Sequence, residues 1–83
     1  MTKAEITETI RKILTEKYGV PEEELTEEKD LSKYLDYDTQ CCLIISIEYT
    51  LRTSFTVSDL DKLYTLFTLK ALTDIAYTNQ IQP

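Results

Sequence analysis

Between Thr2 and Gly19 the sequence TKAEITETIRKILTEKYG leaves little room for anything but an α-helix. Thr2 and Glu5 stand in the spacing of a capping box, in which a hydroxyl and a carboxylate each accept an orphan N–H of the first turn. Ile6, Ile10, Ile13 and Leu14 then recur on one face, with Tyr18 closing the stripe, at the period of a helix with one side to bury. Gly19 supplies the residue best able to turn left-handed at a helix end. Pro21 has no N–H to donate and forbids continuation. A helix with one apolar face needs other elements to cover it, and the remaining residues must supply them.

Residues 21–36, PEEELTEEKDLSKYLD, combine many acids with isolated anchors at Leu25, Leu31 and Leu35. This pattern predicts a long loop, with room for one helical turn, pinned to a core at intervals. A loop of that length in a small domain is often functional. A second helix is expected from Asp38 to Thr53, with Leu43, Ile44, Ile47 and Leu51 inward. Cys42, Ile45 and Tyr49 lie on its opposite face, with Cys41 at the margin. A helix apolar on two sides has either a second core contact or a partner. FTVSDLDKL (55–63) predicts a short helix with Ser58 as N-cap and Asp61 three residues on. Thr65 is the expected cap of a last helix that turns Leu66, Leu69, Leu72, Ile75 and Ala76 inward, and residues 77–83 are expected to fray. With one glycine and few alternating β-branched residues, no sheet is expected. The expectation is a single all-α domain over residues 1–83. It is a four-helix bundle with a long loop between the first two helices and a short third helix.

Charge and cysteine usage exclude several functions. A net charge of −6 disfavours nucleic acid, which needs clustered Lys and Arg, and disfavours anionic membrane surfaces. The longest apolar run, CCLIISI at 41–47, is far short of the roughly 20 residues that span a bilayer, so no membrane insertion is expected. Cys41 and Cys42 are neighbours, and a bridge between them would be strained, so both are read as free thiols in a reducing compartment. The opening residues follow a capping pattern rather than an apolar signal, and a cytoplasmic location is the expectation. With no histidine, no CxxC spacing and no phosphate-cradling glycines, neither a metal site nor catalytic residues are assigned. A calcium loop counted from Asp36 fails, because Cys41 stands where it needs glycine and Ile47 where it needs glutamate.

Three fragments, in order, carry a resemblance to a known family. They are ITETIRKILTEKYGVPEEEL (6–25), LIISIEYTL (43–51) and DLDKLYTLFTLKAL (59–72). The chain resembles the acyl carrier protein family over essentially its whole length, and the resemblance implies that family's four-helix bundle. In that family an Asp-Ser-Leu motif opens the second helix, and its serine carries the 4'-phosphopantetheine arm. Aligned forward from the first helix, Asp38-Thr39-Gln40 falls on the motif and Thr39 takes the serine position. Aligned backward from Ile47-Glu48, Asp36-Tyr37-Asp38 falls there and Tyr37 takes it. Helical periodicity favours the second register, because the first puts Ser46 and Thr53 on apolar positions.

Neither register supplies a serine. The extra methyl of threonine crowds its oxygen, and tyrosine carries its oxygen further out on a rigid ring. A transferase must align that oxygen in line with coenzyme A. The expectation is a domain without the arm and without a cofactor, no enzyme itself, acting by contact with a partner protein or biosynthetic enzyme. The resemblance implies that Asp36, Asp38, Cys42, Ile45, Glu48 and Tyr49 face that partner. Cys42 and Tyr49 stand where the family often has acids, so charge has been exchanged for apolar area, and self-association through the second helix is a further expectation. The alternatives are a working carrier with phosphopantetheine on Thr39, and an unrelated small helical adaptor. Tyr37 also has a purely structural reading, as a cover for the mouth of the bundle.

Overall fold

The structure is a computed structural model that describes residues 1–80. Four helices follow in order: α1 (Lys3–Tyr18), α2 (Tyr37–Leu51), α3 (Val57–Thr65) and α4 (Leu69–Thr78). Two short 3₁₀ turns, Glu22–Glu24 and Leu31–Lys33, lie in the long first loop. The described residues contain no strand, only two isolated bridges, Asp30 with Thr68 and Thr53 with Gln80. The Cα radius of gyration of 11.5 Å is close to the ~12 Å expected for a compact chain of this length.

Helix α1 begins and ends as its sequence predicts. Thr2 and Glu5 form the reciprocal capping box. Gly19 closes the helix at φ 68°, and its N–H donates to the Leu14 carbonyl. Ile6, Ile10 and Leu14 are fully buried, and they pack with Leu43, Ile47, Leu69, Leu72 and Ala76 from α2 and α4. Full burial of each aliphatic side chain contributes about 1.5–3 kcal/mol.

The long loop is built into this core. Leu25, Leu31 and Leu35 are all at most 2% exposed. The Leu31 N–H donates to the Phe67 carbonyl at 2.8 Å, and the Lys70 N–H donates to Glu27 at 2.9 Å. Arg11 Nη1 donates to the Leu25 carbonyl at 2.6 Å. These bonds satisfy backbone groups that burial of the three leucines would otherwise strand. The loop therefore covers one end of the bundle and fixes where α2 starts.

Several boundaries differ from the sequence expectation, each for a local reason. Helix α2 begins at Tyr37 rather than Asp38, because Asp36 caps it. It ends at Leu51 because Arg52 turns left-handed at φ 51°, a conformation costing a non-glycine residue about 1–2 kcal/mol. Thr53 is then free to leave the helix, and its hydroxyl donates to the Ala76 carbonyl. The cap of α3 is Thr56 rather than Ser58. Thr56 and Asp59 form a reciprocal box that satisfies two backbone donors, which a start at Ser58 would forgo. The cap of α4 is Thr68 rather than Thr65, and its hydroxyl accepts the Ala71 N–H. Thr65 instead donates to the Lys62 carbonyl at the end of α3. Leu66 thus falls in the turn between α3 and α4 and is exposed, while Phe67 is buried. In the stretch expected to fray, Tyr77 and Thr78 belong to α4, and the Asn79 side chain donates to Ser54 and Asp59. Residues 81–83 lie outside the described residues.

Candidate functional site

The site grows from the first turn of α2. Asp36 has extended backbone, and its Oδ1 accepts the Thr39 N–H at 2.9 Å. That bond holds its carboxyl below the usual carboxylate range, as expected for an acid on the positive end of a helix. The Gln40 side chain donates to the Leu35 carbonyl and ties the same turn to the buried loop. The start of α2 is fixed from both sides.

Tyr37 is the first residue of α2 and is 68% exposed. Its ring borders a cavity of about 160 Å³ between α2 and α3, with Cys41, Ile44, Leu63, Tyr64 and Phe67 among the other walls. Contact with the Cys41 thiol one turn along, and some loss of solvent, push the Tyr37 phenol pKa up. The phenol is therefore a neutral hydroxyl at physiological pH. Thr39 is half-buried on the same turn. Both candidate hydroxyls stand at the head of α2, but only Tyr37 lines the cavity.

The outer face of α2 is unpartnered. Ile45 is 63% and Tyr49 88% exposed, and the Cys42 thiol is free and exposed. Asp38 is exposed beside them, whereas Glu48 is half-buried. Glu48 Oε2 accepts the Phe55 N–H at 2.8 Å and so braces the turn after α2. Of the expected contact residues, Asp38, Cys42, Ile45 and Tyr49 share the solvent side of α2, Asp36 is exposed at its N-cap, and Glu48 serves the fold as well.

Helix α3 adds residues that sequence inspection did not single out. Val57, Leu60 and Tyr64 are all exposed, Tyr64 at 83%. Their i, i+3, i+7 spacing was the available signal, since it marks one helix face. Tyr64 and Leu60 line the same cavity as Tyr37. The acidic run of the loop is partly structural. Glu24 pairs with Lys29, which holds its carboxyl down, with Tyr34 adding to the effect. Asp30 accepts both the N–H and the hydroxyl of Ser32 and is likewise lowered. Glu22, Glu23, Glu27 and Glu28 remain exposed.

These lowered carboxylates set a pH dependence. Asp36, Asp30, Glu24 and Asp59 titrate lower in the folded than in the unfolded chain. Their stabilisation is complete above the unfolded value of about 4 and is lost as pH falls through the lowered folded values. The thermal midpoint, followed by circular dichroism, is expected to fall from about pH 4 to about pH 2. A midpoint that rises across this window would contradict the assignment.

Among the described residues no helix is long and apolar enough to cross a membrane, and no three His, Cys, Asp or Glu side chains converge as metal ligands. No protein-family model, curated protein or solved structure matches the chain.

Proposed function

We propose that this chain is an acyl-carrier-like domain without an attachment serine, acting by protein–protein contact in or near a fatty-acid, polyketide or peptide assembly pathway. The observation that carries the proposal is the head of α2, where Asp36 caps the helix and the next residue is Tyr37. The likeness to carriers puts the arm-bearing serine at that first helical position. An aryl hydroxyl there lies several bonds further from the backbone than a serine oxygen, on a ring with two torsions. In-line transfer from coenzyme A depends on placing the acceptor oxygen to within about an ångström. The long first loop, the short third helix and the element order also support the likeness.

The working surface is then the outer side of α2. Ile45, Tyr49 and Cys42 form an apolar centre, with Asp36 and Asp38 at the helix head. Burial of such side chains contributes about 25 cal/mol per Å², offset by the cost of association. The test is the intact mass of the chain after incubation with a promiscuous phosphopantetheinyl transferase and coenzyme A. No change is expected. A gain of one phosphopantetheine that Thr39→Ala abolishes would replace this proposal with a working carrier modified at Thr39.

A further inference from the structure

Asp38, Cys42, Ile45, Tyr49 and Arg52 form one exposed stripe along α2 and its C-cap. Their spacing alternates four and three residues, an average of 3.5, which is the period of a seam between two helices. The centre is apolar, and the two ends carry opposite charges. Neither Asp38 nor Arg52 takes part in an ion pair among the described residues. Read in reverse, the stripe complements itself: Asp38 falls opposite Arg52, Ile45 opposite its own copy, and Cys42 within one residue of the level of Tyr49. A surface with that property satisfies the condition for a twofold, isologous contact.

We propose that the occupant of this face is a second copy of the chain, α2 lying antiparallel on α2 with Ile45 at the twofold axis and two reciprocal Asp38–Arg52 ion pairs. The inference rests on the part of the preceding proposal that makes the outer side of α2 the working surface, and not on the missing arm. Antiparallel packing also sets the helix dipoles against each other favourably. A uniformly basic partner would match Asp38 but oppose Arg52. A face of one 15-residue helix is smaller than the roughly 800 Å² per partner of a standard interface. The net charge of −6 also opposes pairing of like copies. The dimer is accordingly weak, with a dissociation constant on the order of 10–1000 μM.

Sedimentation equilibrium on the full chain tests this. D38R brings two arginines against each other at both ends of the interface, and R52D does the same with two aspartates. Each is expected to weaken the dimer roughly tenfold, and the double variant D38R/R52D to restore it, because both ion pairs are rebuilt with their signs exchanged. Overall charge predicts a different result. D38R reduces the net charge from −6 to −4, so general repulsion alone would tighten association. A chain that stays monomeric up to about 1 mM, a D38R variant that dimerises more tightly, or a double variant that does not recover overturns the proposal. The mass test of arm attachment is independent of these outcomes, so the two proposals fail separately.

Discussion

Replacing Leu31 by alanine is expected to destabilise the domain by about 2–5 kcal/mol, the range for a core leucine, although Leu31 lies in the loop between α1 and α2. Its side chain is fully buried in the shared core, and its N–H donates to the Phe67 carbonyl. Removing the side chain leaves a cavity where the loop meets the turn between α3 and α4. A chain of this size has a total stability of about 4–12 kcal/mol, so the change removes a large part of it. The thermal midpoint should fall by roughly 10–30 °C. Thermal unfolding of L31A followed by circular dichroism checks this. A fall below about 4 °C would mean that the loop only lies on the bundle.

The second large effect is a gain of chemistry. Tyr37→Ser together with Asp38→Leu writes Asp-Ser-Leu across the head of α2. Both positions are exposed, so the fold should tolerate the change. Incubated with coenzyme A and the same promiscuous transferase, the double variant is expected to gain one phosphopantetheine while the native chain gains none. The serine oxygen would stand on the first helical residue, directly after the Asp36 cap. If the double variant stays unmodified while Thr39→Ser is modified, the attachment position lies two residues later, and Tyr37 does not stand in it.

Local chemistry made much of the fold legible. The capping box at Thr2 and Glu5, the stripe of α1 and the glycine at its end are all decided within one or two helical turns. The inward face of α2 follows from period alone, and Leu43, Ile47 and Leu51 are buried while Ile44 is half-buried at the edge. The exposed side with Cys42, Ile45 and Tyr49 follows from the same count. Misplacements arose where two caps competed nearby. Ser58 and Thr65 looked suitable by type, but Thr56 and Thr68 prevailed because their helix starts also let Leu63, Phe67 and Leu69 reach the core. Glu48 looked like a surface acid, and only the chain's return at Phe55 gave it a backbone donor.

The sequence by itself determined four helices, the inward faces of α1 and α2 and the absence of a serine at the head of α2, because capping, period and residue type act over a few residues. The tertiary structure decided the rest. It turned the acidic loop into a strap anchored by Leu25, Leu31 and Leu35, with the Leu31 N–H donating to Phe67 and the Lys70 N–H to Glu27. It opened the cavity that Tyr37 and Tyr64, 27 positions apart by number, both line. It left one side of α2 uncovered, with Asp38 and Arg52 at opposite ends. Contacts between distant segments depend on how several faces fill one volume together, and no local pattern encodes that.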